Sequence, residues 1–336
     1  MSTNWYKLLC NSSELQLLGT LNGGQSFRWK KCLLDDKEHW IGVFSNRVWI
    51  LQQEGDRILY KVHEPNLKQT DKEEDFYNGL LQDYFQLDLN LEEYYAEWSK
   101  KDIYFKEASK QFYGIRILKQ DVVENIFSFI CSSNNNIARY VVCFRISSMV
   151  EKLARFYGNE ICEINGDKYY TFPNVETLAE RSVEERLKLN GFGYRAKYIS
   201  KSAKLIMDGG GKEWLDKLKQ MTYEDAKKTL MCLTGIGAKV ADCICLMSLG
   251  HLQAIPVDTH IYQIAKRLYM PKLPNNKTVT EKVYNEIGVY FRELYGPLAG
   301  WAHTVLFCAD LKKFQGNNID MEDSKKNFNK KIKFKK

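Results

Sequence analysis

The chain has 336 residues, 44% of them hydrophobic and 27% charged, with a net charge of +7 at neutral pH. This is the balance of an ordinary soluble globular protein, long enough for two cores. No apolar run approaches the roughly 20 residues of a membrane span, and "MSTNWYKLLC" lacks the basic start and apolar stretch of a secretory signal. Nine scattered cysteines, without paired spacing, are expected to be thiols. No four-cysteine run in the last third suggests an iron–sulfur cluster. Between Lys312 and Lys336, nine lysines face three acids, so +6 of the +7 lies there. A polyanion bound by the nearly neutral body must therefore be held by placed groups, not bulk charge.

In chain order, residues 15–63 read as a strand meander. "SFRWKKCLL", "HWIGVFS", "RVWILQQ" and "RILYKVHE" are aromatic or β-branched runs. Gly23-Gly24, Asp35-Asp36, Ser45-Asn46 and Gly55-Asp56 break them. Helices around 74–86 and 91–100 are expected to cover this antiparallel sheet. From about residue 116 the apolar period becomes helical. Two helices broken at Ser132-Ser133-Asn134-Asn135 are followed by candidates at 175–189, 194–208, 212–219, 222–232, 238–249, 259–269, 278–292 and 297–312. The expected class is α+β: a β-sheet unit over 1–115, a helical unit over 116–311 with a hairpin at about 223–249, and a basic, disordered tail over 312–336. There is no internal repeat.

The hairpin carries the chemistry. In "LTGIGAKVADCICL" (233–246), Gly235 and Gly237 allow positive φ and close approach to backbone N–H donors. Those donors open a helix, a ready site for one phosphate. Lys239 sits in the first turn of that helix, where the dipole disfavours a cation. A lysine held there, and partly buried, is expected to lose its proton readily, and a neutral amine is a nucleophile. Nineteen residues on, Asp258 is placed to cap the next helix, with Thr259 and His260 in its first turn. On spacing alone, a structural hairpin with a surface lysine and a capping aspartate fits equally well.

The segment "LTGIGAKVADCICLMSLGHLQAIPVDTH" resembles the helix-hairpin-helix/Gly-Pro-Asp signature of DNA glycosylases. With "GGQSFRW", "FSFICSSNNNIAR", "GFGYRAKYI" and "GPLAGWAHTVLFCADL", the chain from about Leu9 to Leu311 is similar to the eukaryotic 8-oxoguanine DNA glycosylase/AP lyase family. The resemblance implies a TATA-binding-protein-like antiparallel N-terminal domain before a helical body with the cleft beside the hairpin. It implies a base-excision repair enzyme that flips a damaged nucleotide out of double-stranded DNA. The substrate would be 8-oxoguanine opposite cytosine.

Carried over by residue, Lys239 matches the nucleophile that attacks the sugar and forms an imine, and Asp258 the catalytic aspartate. Gly24 matches the glycine whose carbonyl accepts the N7 hydrogen of 8-oxoguanine; Cys243 and Phe307 match the residues that sandwich the flipped ring. Asn134 matches the residue filling the vacated space, Arg139 and Arg195 the pair reading the orphaned cytosine, and Tyr194 the aromatic wedge. His260, with backbone amides from Gly235 to Gly237, matches a phosphate contact. The chain departs from the pattern at His303, where the family has glutamine after "GWA". Histidine offers fewer bonding options than an amide, so the lesions accepted are left open, and a pH-sensitive pocket is one option. No metal or cofactor is implied. A monomer in the nucleus is expected, with a mitochondrial pool as the alternative; the lysine-rich tail reads as a nuclear signal, a DNA-gripping arm or a solubilising end. Two other functions stay open: a non-catalytic damage sensor on the same fold, and a relative with another lesion preference. His39, His63 and His251 carry no assigned role.

Overall fold

The computed structural model describes residues 5–34, 37–64, 73–133, 139–275 and 279–311, and the side chains of 139–144 lie outside that description. Asn134, the side chain of Arg139 and the tail 312–336 are therefore outside the described residues.

A five-stranded antiparallel sheet runs in the order β1 (Tyr6–Leu9), β5 (Arg57–His63), β4 (Arg47–Glu54), β3 (Lys37–Phe44), β2 (Lys30–Leu34). The four runs read from the sequence form β2 to β5, and β1 is an added edge strand. Ser45 and Asn46 both have positive φ (50° and 55°), the backbone of a two-residue turn whose twist matches the strands it joins. Alternation is clean only in β5, where Ile58, Tyr60 and Val62 point inward. In β4, Val48 to Leu51 are all buried, because both faces of the sheet are covered. Helix α2 (Glu73–Phe85; α1, Leu17–Leu21, precedes the sheet's hairpins) supplies Tyr77, Leu81, Tyr84 and Phe85 against Trp49 and Leu51. Against the other face, Ile161 packs on Ile41, Val43, Val48 and Ile50. It belongs to a two-stranded hairpin, β6 (Glu160–Ile164) and β7 (Asp167–Tyr170), that the sequence reading did not anticipate. Gly42 lies beneath the Trp29 ring; a Cβ there would come within 2.4 Å of it.

The helical body comprises α3 (Leu91–Lys101), α4 (Ile103–Ser109), α5 (Val122–Ser132), α6 (Arg139–Tyr157), α7 (Val175–Leu178), α8 (Val183–Leu189), α9 (Arg195–Asp208), α10 (Lys212–Gln220), α11 (Tyr223–Met231), α12 (Ala238–Ser248), α13 (Thr259–Ile264), α14 (Glu281–Tyr295) and α15 (299–311). The expected single helix over 175–189 is two, α7 and α8. The one expected over 259–269 changes to a π turn at Ala265–Tyr269. Helix α3 does not cover the sheet: Leu91, Tyr95 and Trp98 belong to the helical core. The indole of Trp98 donates to the Tyr295 carbonyl at 3.3 Å. Asp102 starts α4 by accepting from the backbone N–H of Tyr104 and Phe105, and also takes the hydroxyls of Tyr269 and Tyr295.

An extended segment joins the two cores. Ile115 and Ile117 face the helical core, and Leu118 the sheet core. Between them Arg116, fully buried, donates to the carbonyls of Glu14, Gln86 and Leu89 and pairs with the Glu14 carboxylate.

Candidate active site

The hairpin is α11, a turn, and α12. Thr222 caps α11 by accepting from the Asp225 N–H, and buried Leu233 and Ile236 plug the turn into the core. Gly235 has φ +88°, and a Cβ there would lie 2.4 Å from the Tyr198 ring on α9, so the position excludes side chains twice over. Gly237 differs from the expectation: its φ is −97° with ψ 179°, ordinary extended backbone. What it supplies is space, since nothing lies within 4 Å of where its Cβ would be. It caps α12 without a side-chain hydrogen bond, and the first turn of α12 has no acid. The N–H donors there suit an outside anion.

Lys239 points along α12. Its Nζ lies 5.2 Å from the centre of the Phe129 ring on α5, and it hydrogen-bonds the Cys243 thiol one turn on. Burial pushes that thiol upward, opposed by the lysine charge and its hydrogen bond. Phe129 meets Phe27 edge to face at 5.7 Å, so the loop carrying Gly24 reaches the ring beneath Lys239. Gly24 has φ +80°. The loop is clamped at Gln25, which donates to the Arg116 carbonyl at 2.7 Å and accepts from the Leu118 N–H at 3.0 Å. Gln120 donates to the Gln25 carbonyl at 2.9 Å. A Cβ on Gly23 would stand 3.4 Å from Cys308 Sγ, which places the loop against α15.

Asp258 is the N-cap of α13, as its position suggested: Oδ1 accepts from the Ile261 N–H at 2.9 Å. Its charge reaches His303 on α15, and so does that of Lys239. His303 is 4% exposed; the Gly300 carbonyl lies near its ring, but neither ring nitrogen makes a hydrogen bond of good geometry among the described residues. Burial pulls its pKa down to about 4, with the Asp258 charge and the nearby Gly300 carbonyl opposing. The imidazole is therefore neutral at physiological pH, and its titration lies on the acid side of that range. Phe307, one turn further along α15, meets His260 of α13 edge to face at 6.2 Å.

A second group lies on α9. Gly191 and Gly193 have φ of 86° and 58° and turn the chain so that Tyr194 stands 43% exposed. Its ring packs on Tyr198, the residue against Gly235. Arg195 is not presented outward here. It is 4% exposed, its guanidinium sits 4.6 Å over the Tyr194 ring, and Nη2 donates to the Ser133 carbonyl at 2.5 Å. The Tyr194 hydroxyl donates to the same carbonyl at 3.0 Å. Both thus hold the last described residue before 134–138. Arg139 is the first residue of α6.

The structure brings Lys239, Cys243, Asp258 and His303 within electrostatic reach of one another and sets the Gly24 loop beside Phe129 in the same arrangement. Two residues passed over in the sequence contribute to it. Gln25 fixes the glycine loop, and Asp242, fully buried on α12, binds two tyrosines and a lysine. An acid inside the apolar run "AKVADCICLM" was the available signal, because a buried carboxylate needs partners. Among the described residues no group of His, Cys, Asp and Glu is assembled that could hold a metal ion.

Comparison with known proteins identifies the families that the chain resembles. Residues 7–126 match the model of the 8-oxoguanine DNA glycosylase N-terminal domain, and residues 127–287 that of the HhH-GPD superfamily of base excision DNA repair proteins. The chain is 38% identical over 310 residues to N-glycosylase/DNA lyase OGG1 of Arabidopsis thaliana, spanning 91% of this chain and 80% of that protein. It superposes with a TM-score of 0.77 on the solved structure of MBOgg1 with a low-affinity DNA ligand, at 32% identity, covering 93% and 97% of the two chains. The TM-score is 0.74, at 28% identity, with the Clostridium acetobutylicum 8-oxoguanine glycosylase/lyase bound to double-stranded DNA containing cytosine opposite 8-oxoguanine, covering 89% and 93%.

Proposed function

We propose a reaction for this chain from one premise: it belongs to the 8-oxoguanine DNA glycosylase family of HhH-GPD base excision repair proteins. It removes 8-oxoguanine from duplex DNA and nicks the strand left behind, and the base opposite is cytosine. Lys239 Nζ attacks C1′ of the sugar as the glycosidic bond breaks and the base departs with the bonding pair. The Asp258 carboxylate stabilises the positive charge that develops on the sugar ring. The attached amine gives up two protons, one to the departed base and one to the ring oxygen as the C1′–O4′ bond breaks, and an imine joins Lys239 to the opened deoxyribose. Loss of the 3′ phosphate by β-elimination then cuts the strand. The observation that carries this reading is the lysine in an acid-free first turn, set against Phe129 and Cys243, with Asp258 in electrostatic reach of the same His303.

In the base pocket, the Gly24 carbonyl accepts the N7 hydrogen that distinguishes 8-oxoguanine from guanine, and Cys243 and Phe307 sandwich the ring. Neutral His303 meets the purine edge with one donor and one acceptor. Its place on α15 supports a second reading at the level of substrate, a lesion range shifted from that of a glutamine-bearing relative. Asn134 fills the vacated stack, Arg139 and Arg195 read the orphaned cytosine, Tyr194 wedges the duplex, and His260 with the Gly235–Gly237 amides holds a phosphate. Arg195 must then leave the Ser133 carbonyl when DNA binds. The working units are 1–115, 116–311 and the tail 312–336, in a monomer acting in the nucleus.

The test is borohydride trapping with duplexes carrying 8-oxoguanine opposite each of the four bases. Wild type gives a covalent adduct, most of all opposite cytosine. Lys239→Gln binds the same duplex and gives none. Base release without an adduct would make water the nucleophile, and binding without release would make the protein a sensor.

A further inference from the structure

We infer that Asp242, acting through Tyr284, is a positioning residue that sets Lys239 against Asp258. This rests on the reading of those two as the reacting pair. Asp242 follows Lys239 by one turn of α12, so their relative placement is fixed by the helix. Its carboxylate is fully buried and takes three donors: the Tyr223 hydroxyl at 2.7 Å, Lys227 Nζ at 2.8 Å, and the Tyr284 hydroxyl. Lys227 balances the charge and also lies 4.7 Å over the Tyr284 ring. Tyr284 has one proton. The Ile255 carbonyl stands 3.2 Å from its hydroxyl, but the charged acceptor holds the proton more strongly. The same hydroxyl oxygen accepts the Val257 N–H at 3.3 Å. Val257 precedes Asp258. A continuous path therefore runs from the lysine helix through Asp242 and Tyr284 to the backbone beside the aspartate.

The two tyrosines differ in what they reach. Tyr223 opens α11 and ties the carboxylate back into the hairpin. Tyr284 comes from α14 and ties it to 255–257. Burial pushes both phenols upward, so both remain donors. A buried ion network of this kind is weak evidence of stabilisation, since apolar packing often serves as well. Its directional bonds fix geometry, and reacting groups displaced by about 1 Å can lose on the order of a hundredfold in rate.

The experiment pairs Tyr284→Phe with Tyr223→Phe in the full chain. Each keeps its ring and removes one hydrogen bond to the same carboxylate. Four quantities are read: single-turnover release of 8-oxoguanine, borohydride adduct, duplex Kd and Tm. Tyr284→Phe is expected to slow release and trapping by about tenfold to a hundredfold with Kd within about twofold of wild type. Tyr223→Phe is expected to lower Tm comparably and keep the rate within about threefold. Hydrogen exchange at the Val257 amide should accelerate in the first variant and not in the second. Equal rate losses that track Tm, or a wild-type rate in Tyr284→Phe, overturn the inference. Should Tyr284→Phe not fold, Asp242→Asn, which keeps the shape and one acceptor, is read against Tyr223→Phe in the same way. An absent adduct in wild type overturns the Lys239 reading and this inference together; equal adduct in wild type and Tyr284→Phe overturns the inference alone.

Discussion

His303 is a buried base, and this has a consequence for stability. Its pKa falls from an ordinary 6.5 to about 4 in the folded chain. Between those values the unfolded chain binds a proton that the folded chain refuses. The stabilising effect of the neutral ring is thus complete above about pH 6.5 and declines as pH falls towards 4, by about 3 kcal/mol in total. His63 and His251 are lowered in the same direction, again chiefly by burial. His303→Gln is expected to flatten, without abolishing, the loss of Tm between pH 6.5 and 4, and to keep or raise activity on 8-oxoguanine. An unchanged slope in a thermal-melt series across that range would contradict the burial argument.

At the scale of elements, the hairpin turn depends on Gly235. Alanine there would hold φ +88° against its preference and set a methyl group into the Tyr198 ring. The backbone strain alone is about 1–3 kcal/mol. Because Tyr198 also packs on Tyr194, relief of the clash would disturb the surface proposed as the wedge. Gly235→Ala is expected to lower Tm and to weaken duplex binding by at least about tenfold, a loss of about 1.4 kcal/mol. Gly237→Ala, in extended backbone with open space around it, should leave Tm nearly unchanged. Equal effects in melts and binding titrations would show that the two glycines are not distinct. The β6–β7 hairpin makes a related point. Asn165-Gly166 has φ of 51° and 85°, the strongest short hairpin signal a sequence can carry. It is legible in "EICEINGDKYY", although the flanking strands are only five and four residues long.

Across the whole molecule, Arg116 is one link between the sheet and the helices. Its fully buried guanidinium serves three carbonyls and one carboxylate, and lies 5.7 Å from the Trp301 ring. Burial lowers its pKa, opposed chiefly by Glu14. Arg116→Met keeps an unbranched stem but removes the guanidinium and strands those acceptors. Breaking such a buried pair typically destabilises by about 3–5 kcal/mol. Urea denaturation should register this as a lower midpoint, and a midpoint within error of wild type would mean that other contacts, such as Arg28 with Glu124 and Lys30 with Glu151, hold the two units. Helix α3 illustrates why the sequence could not assign this junction. Its apolar face was readable, but whether Leu91, Tyr95 and Trp98 meet strands or helices depends on where the chain turns at Asp102.

The sequence by itself determined the α+β class, the meander, the helical hairpin with Lys239 in its first turn, and Asp258 as a helix cap. Each follows from local rules: period, turn residues and capping, which act over a few residues. Only the tertiary structure decided that the sheet is covered on both faces, that Arg195 lies under Tyr194, that His303 is neutral, and that Asp242 connects the lysine helix to the aspartate. Those depend on contacts such as Asp242 with Tyr284, 42 residues apart. Burial and long-range hydrogen bonding arise when the chain closes on itself, and no local pattern specifies them.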